Sequence, residues 1–346
     1  MRTESLESLG VVLQTKLHRP PLPLDLVKRE DLIELLDQER SRPLTLVSAP
    51  AGYGKSTLVA SWLEHNDWSS VWLSLDVDDS DLRVFLTYFV PALRKTFAAV
   101  CEQTQNLLKA AELPPVSTLA VVLGNELDAV ERPFLLVLDD YHRITAVSPV
   151  HDLLERLFAH PPIPLHLVII TRLDPPLALE RQRALGQVTD IRVLDLRLNL
   201  SETRMLLQKT VTSEASETAL HNLDRDLEGW IVGLKLVALA LRHSSDPDEL
   251  ISRLHGGTRE IQAYLVGEVL ETLSEDVRDC LTRTAVLDRF CASLCDALCA
   301  QYPNASGVVL DGSSLIQSAY NDNLFLIPLD SRGEWYRYHH CLLYTS

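Results

Sequence analysis

The chain has 346 residues, more than one hydrophobic core usually serves, which predicts two or three packed units. With 46% hydrophobic and 23% charged residues its composition is that of a globular protein and excludes a disordered or fibrous chain. A formal net charge of -16 repels phosphate backbones, so this stretch is a poor candidate for binding nucleic acid, which works through Lys and Arg. No run approaches the roughly 18 to 20 uninterrupted apolar residues that span a bilayer. Met1 to Gly10 carries acids where a signal peptide has an apolar core, and a cytoplasmic location is expected. Six cysteines, four of them from Cys280 to Cys299, make no small secreted framework and are expected as reduced thiols.

In chain order, Pro20, Pro21 and Pro23 predict an extended lead-in over residues 1–28, and a helical pattern covers Arg29 to Glu39. After Pro43, short apolar runs alternate with longer amphipathic stretches, the pattern of a parallel sheet with crossover helices. The expected strands are Leu44 to Ser48, Val71 to Leu75, Phe134 to Leu138, Leu165 to Thr171 and Ile191 to Leu196. The expected helices between them are Ser56 to His65, Asp81 to Val100, Thr118 to Val130 and Val150 to Phe158. Beyond Asp195 helical periodicity takes over: Ser201, as an N-cap, opens a helix through Lys209, and Leu227 to Leu241, Arg259 to Leu273 and Asp276 to Val286 follow. A hairpin of Leu324 to Leu329 and Glu334 to His339 closes the pattern and suggests a winged helix. The expected domains are a lead-in (1–28), a nucleotide-binding domain (29–198), a helical domain (199–257) and a winged-helix domain (258–346), the last truncated.

Ala49-Pro50-Ala51-Gly52-Tyr53-Gly54-Lys55-Ser56 matches the phosphate-loop pattern with Ala in place of the first Gly, after a strand and opening a helix. Gly52 and Gly54 permit a backbone whose successive N–H groups face one anion, and the helix N-terminus adds its dipole. Lys55 is suited to the β- and γ-phosphates and Ser56 to magnesium, so ATP or ADP with Mg2+ is the expected ligand. The bland alternative is a glycine-rich turn. Phe134 to Leu138 runs into Asp139 and Asp140, an apolar strand ending in two carboxylates. Asp139 is the metal-binding candidate and Asp140 the candidate for orienting an attacking water, with the two roles exchangeable. A third strand end carries Arg172, a candidate γ-phosphate sensor whose alternative is a surface arginine paired with Asp174. Cys291, Cys295 and Cys299 have helical spacing and read as a buried stripe rather than a metal site, since no fourth ligand accompanies them. His339 and His340 end the last strand and have a structural alternative to any contact with phosphate.

Taken together, these residues resemble the MalT-like, LuxR-type ATP-dependent transcriptional regulators of the STAND class of signalling NTPases. The resemblance rests on Thr15-Lys16-Leu17, Val27-Lys28-Arg29, Ala49 to Thr57, Val71 to Asp76 and Leu138-Asp139-Asp140-Tyr141-His142. It continues through Thr171-Arg172, Glu228-Gly229-Trp230 with Gly233-Leu234, Phe290-Cys291, Leu294 to Ala297 and Tyr336 to His340, and so covers nearly the whole chain. It implies an α/β P-loop NTPase with a parallel sheet, followed by a helical domain and a winged-helix domain. It further implies an off state holding ADP and an on state that exchanges it for ATP and self-associates after an inducer binds. By position, Arg29 is implied near the base or ribose, Thr57 in the loop, Arg172 as the sensor, and His339 at the β-phosphate. Ile231 stands where the family has Pro after Gly-Trp, and Cys341 to Ser346 departs from the family pattern.

The expected function is a nucleotide switch with slow hydrolysis that controls self-association and transcription activation, the inducer and DNA being bound through regions outside an N-terminal fragment. A P-loop ATPase or kinase with turnover as its main role is the second reading. A scaffold with a vestigial loop is the third.

Overall fold

The computed structural model describes residues 12–210, 216–241, 248–249, 251, 275–284, 286–287, 289–299, 311–321, 326–330 and 334–338. They form two compact units. The first holds the described residues up to Leu22, Lys28–Ser48 and Lys55–Arg192; the second holds Pro23–Val27, Ala49–Gly54 and the described residues from Val193 on.

The first unit is an α/β layer structure. Strands β1 (Leu44–Ser48), β2 (Ser69–Ser74), β3 (Phe134–Asp139), β4 (Leu165–Thr171) and β5 (Val188–Ile191) make one parallel sheet in the order β2-β3-β4-β1-β5. Every residue of β1, β3 and β4 is buried, which explains their continuous apolar runs: crossover helices cover both faces. Helices α1 (Glu30–Gln38), α2 (Lys55–His65), α3 (Leu82–Thr96), α4 (Glu102–Leu108), α5 (Val116–Asp128), α6 (Pro149–Ala159) and the short α7 (Glu180–Ala184) complete the unit.

Side-chain alternation divides the strands between two faces. Leu44, Leu46, Leu136, Leu138, Leu167 and Ile169 share one core with Phe85 and Phe89 of α3, Leu123 of α5 and Leu153 and Leu157 of α6. Full burial of each such leucine or phenylalanine stabilises the unit by about 1.5 to 3 kcal/mol. On the other face, Thr45 Oγ1 and His166 Nε2 lie 2.9 Å apart, with the imidazole edge-on to Trp62 of α2. Local chemistry sets the helix starts. Asp81 accepts hydrogen bonds from the N–H groups of Arg83 and Val84 to open α3, and Ser148, followed by Pro149, opens α6.

The lead-in is tied down by a buried cation. Lys16, on a 3-10 turn (Gln14–Leu17), donates to Asp79 Oδ2 at 2.5 Å and to Asp76 at 3.1 Å, and its ammonium sits 4.0 Å from the centre of the Tyr88 ring. Asp79 is fully buried, so this pair fixes the turn that follows β2.

The second unit contains α8 (Val193–Leu196), α9 (Leu200–Thr210), α10 (Glu217–Leu227) and α11 (Ile231–Leu241). Its winged-helix portion has α12 (Glu275–Thr284), α13 (Ala292–Cys299), α14 (Gly312–Asn321) and the antiparallel pair β6 (Leu326–Pro328) and β7 (Tyr336–Tyr338). Phe290 bridges to Tyr336 through the backbone, and its ring lies 4.5 Å from that of Tyr338, whose hydroxyl meets Thr284 Oγ1 at 2.5 Å. Arg337 of β7 forms a double hydrogen bond with Glu228, at 2.7 and 3.0 Å, and Arg197 adds a second cation to the same carboxylate.

Several expected elements shift. Ile191 to Leu196 is not a strand: β5 ends at Ile191 and Val193–Leu196 is a helical turn. The polar Thr189 and Asp190 concealed β5, which pairs only with β1 and so tolerates them at the sheet edge. Asn199, rather than Ser201, opens α9: its side chain accepts from the Glu202 N–H, and the Glu202 carboxylate accepts from the Asn199 N–H. Leu227 to Leu241 is interrupted because Glu228 and Gly229 take left-handed conformations, φ 47° and 69°, between α10 and α11. At Gly229 a Cβ would collide with the Leu198 backbone, so glycine is required there. Arg259 to Leu273 lies outside the described residues. Cys101, Cys291 and Cys295 are free thiols as expected, whereas Cys280 is disulfide-bonded. Among the described residues no helix is long and apolar enough to cross a membrane, and no group of three or more His, Cys, Asp or Glu side chains gathers as a metal site would need.

Candidate functional site

The sheet order positions the site. β4 lies between β1 and β3, with Ser48 in register with Thr171 and Leu138 with Ile169. The C-terminal ends of three neighbouring strands therefore carry Ser48, Arg172 and Asp139, at the sheet edge where ligands of open parallel folds bind.

Beyond β1 the chain passes through Ala49–Gly54 before α2 begins at Lys55. Gly52 and Gly54 both adopt positive φ, 82° and 76°, as an anion-facing backbone requires. Within the second unit this segment packs against the start of α11. The Trp230 indole N–H donates to the Ala51 carbonyl at 3.0 Å and the Val232 N–H to the Gly52 carbonyl at 3.1 Å. Ala49, Ala51 and Tyr53 are buried.

At the sheet edge of the first unit, the Ser56 hydroxyl donates to Asp139 Oδ1 at 2.9 Å, and the Asp140 N–H donates to the same oxygen at 3.0 Å. Asp140 holds φ 57°, an unusual conformation for a non-glycine residue, and its half-exposed carboxylate lies 3.9 Å from His142 Nδ1. Arg172 follows β4 directly and is half-buried. Asp174, its suggested surface partner, is engaged by Arg192 and by the Ser48 hydroxyl. Arg29 is the residue before α1 and is half-buried, and Thr57 lies in the first turn of α2. His339 lies outside the described residues.

Burial strains the charges here. It pushes the Lys55 ammonium down to about 8, with the Arg172 charge adding to the effect and Asp140 and Asp139 opposing it. Burial pushes Asp139 up to about 6, reinforced by Asp140 and opposed by the Ser56 hydrogen bond. His142 is driven down to about 3 by burial and then by Arg172, Lys55 and Arg143. A cluster with a disfavoured ammonium and a disfavoured carboxylate is matched by a ligand of both signs. Phosphate would restore the ammonium and a divalent cation the carboxylate, so the residues present fit a magnesium nucleotide.

These features define the class as a P-loop ATPase domain. Residues 26–170 match the AAA ATPase domain and residues 266–343 the MalT winged helix domain. The HTH-type transcriptional regulator MalT of Yersinia pestis (strain Pestoides F) is 30% identical over 332 residues, which cover 95% of this chain and 36% of that protein. MalT of Yersinia enterocolitica serotype O:8 gives the same 30% identity and the same coverage of 95% and 36%. The chain thus spans 36% of the length of these curated relatives. The Walker-type ATPase PABY2304 of Pyrococcus abyssi has the same fold, with a TM-score of 0.61, 14% identity, and coverage of 95% of this chain and 97% of that one. The chain is thus similar to MalT over 95% of its own length, and its architecture is an α/β P-loop NTPase with a parallel sheet, followed by a helical and a winged-helix domain.

The engagement of the loop carbonyls by Trp230 and Val232 was not legible from residue types. Gly229-Trp230 was visible only as a motif, with nothing to say what the indole meets. The proximity of His142 to Asp140 was equally hidden, because an exposed and a buried histidine are spelled alike.

Proposed function

We infer that the chain is the nucleotide-binding switch module of a LuxR-type transcriptional regulator, in which exchange of ADP for ATP and slow ATP hydrolysis control self-association and transcription activation. The observation that carries this reading is the Ser56 to Asp139 hydrogen bond at 2.9 Å, which joins the residue after the loop lysine to the strand-end carboxylate. In P-loop proteins that hydroxyl and that carboxylate hold one magnesium ion.

In this reading the backbone of Ala49, Pro50, Ala51, Gly52, Tyr53 and Gly54, with Thr57, cradles the phosphates. Lys55 balances charge on the β- and γ-phosphates. Ser56 and Asp139 hold the metal, and Asp140 orients the attacking water, the roles of the two aspartates being exchangeable. Magnesium, held there, would supply charge neutralisation to the phosphates. Arg172 contacts the γ-phosphate, Arg29 the base or ribose, and His339 reaches the β-phosphate from the winged helix. Residues 29–198 act as the nucleotide-binding domain behind the lead-in 1–28, 199–257 as the helical domain and 258–346 as the winged helix. The inducer and DNA are bound through regions outside this chain, and the location is cytoplasmic.

Nucleotide identity alone is too weak a switch. Moving an equilibrium from 1:99 to 99:1 takes about 5.5 kcal/mol of differential binding. One charge-assisted hydrogen bond from His339 supplies roughly 1.5 to 3 kcal/mol. Further domain contacts or an inducer supply the remainder, so this chain by itself binds nucleotide and switches poorly. The test is thermal unfolding with ADP or ATP and magnesium, native against Lys55→Ala. At a ligand concentration about 1,000 times the dissociation constant, linkage gives the native chain about 4 kcal/mol. A native chain that gains no more than the variant refutes nucleotide binding. Sustained hydrolysis of several turnovers per second without inducer would instead favour an ATPase or kinase with turnover as its main role.

A further inference from the structure

We propose that Trp230 is a positioning residue for the phosphate loop, and that the start of α11 completes the loop's anion-facing backbone. The proposal rests on the nucleotide-binding reading above and extends it to a residue far along the chain.

When successive N–H groups of a short loop face one anion, the carbonyls between them turn the other way. Buried carbonyls must then find donors, or the arrangement costs the desolvation of each. Here the donors come from 179 residues further on: the Trp230 indole N–H meets the Ala51 carbonyl in a fully buried hydrogen bond. The Val232 N–H, at the first turn of α11 and without a partner inside its own helix, takes the Gly52 carbonyl. One interaction thus satisfies two orphan groups, one from the loop and one from the helix end.

The glycines around this contact are its steric complement. A Cβ on Gly52 would come within 2.6 Å of the Trp230 indole nitrogen and 2.9 Å of the Val232 side chain, and one on Gly54 within 2.9 Å of Ile231. On the other side of the indole, a Cβ on Gly233 would collide with the ring. Gly229, at φ 69°, makes the turn that brings Trp230 into place. Trp230 itself is fully buried. Loop conformation and seating of the α11 start are therefore one event, and whatever tightens one tightens the other.

The test uses the full chain. Trp230→Phe keeps an aromatic ring and removes the N–H. Leu223→Ala, at a buried position of α10, controls for general loss of stability. In the nucleotide-free protein, hydrogen exchange at the amides of 51–54 should quicken at least tenfold in Trp230→Phe and not in Leu223→Ala. The dissociation constant for ADP should rise about five- to tenfold in Trp230→Phe and stay within twofold in Leu223→Ala. If Trp230→Phe does not fold, Gly233→Ala, whose methyl displaces the indole, should quicken the same amides. Unchanged loop exchange, or equal quickening in Leu223→Ala, overturns the proposal. If the native chain binds no ADP, the nucleotide reading fails by itself, and the exchange result still decides the role of Trp230.

Discussion

Acidification should destabilise the first unit through His166. This side chain lies on β4 at 2% exposure, and burial pushes its imidazole down to about 4. Nδ1 donates to the Arg40 carbonyl at 3.0 Å, which leaves Nε2 to accept from the Thr45 hydroxyl at 2.9 Å, so the neutral ring satisfies both neighbours. A second proton would leave Nε2 with nothing to donate to except a hydroxyl that must reverse. In the unfolded chain the ring takes that proton near pH 6.5. The folded value is thus depressed: the stabilising contribution is complete above about pH 7 and is lost as pH falls from about 6.5 towards 4. Between pH 7 and pH 5 linkage removes about 2 kcal/mol through this one group. With a urea dependence of about 2 kcal/mol per molar, the unfolding midpoint falls by about 1 M. Other groups titrate in the same window, and burial of Asp139 acts in the opposite direction, so the measurement is a difference. In His166→Asn the amide nitrogen keeps the bond to Arg40 and nothing titrates. Native and variant midpoints are compared at pH 7 and pH 5. A variant that loses as much between the two as the native chain refutes the argument.

Two further outcomes follow from the same geometry. Asp139 has a folded pKa raised to about 6, so its charge destabilises the nucleotide-free protein above that pH, and stability from this group returns as pH falls through about 6. Asp139→Asn should therefore raise the urea midpoint at pH 8, by an amount corresponding to about 1 to 3 kcal/mol, while weakening magnesium-dependent nucleotide binding; a midpoint that falls contradicts the assigned strain. Gly229→Ala should cost about 2 kcal/mol or more, because it places a methyl group against the Leu198 backbone at a positive φ. Near-native denaturation of that variant would show that the turn between α10 and α11 can reopen.

Much of the first unit was written locally. β1 and β4 have the bounds their apolar runs predict, and β3 extends by one residue into Asp139. Such runs are legible because a strand covered on both faces needs nothing but apolar residues. Where an element meets less of the core, the signal fades. β5 carries Asp190, paired with Arg183 and Arg192, and reads as polar until its edge position is known. α10 hides because its apolar positions, Leu220, Leu223 and Leu227, are separated from α11 only by a left-handed Glu228 that composition does not announce.

The motifs Ala49 to Ser56 and Asp139-Asp140 were legible in the sequence alone, because a candidate phosphate loop and a candidate metal-binding strand end are marked by local residues at fixed spacing. What only the tertiary structure decided is which distant groups those motifs meet. The insertion of β4 between β1 and β3 brings Arg172 to the shared edge, and a left-handed turn at Glu228 and Gly229 delivers the Trp230 indole to the Ala51 carbonyl. Both are long-range pairings chosen by burial and by the need to satisfy buried donors and acceptors. Those requirements act on the folded chain as a whole and leave little trace in the residues nearby.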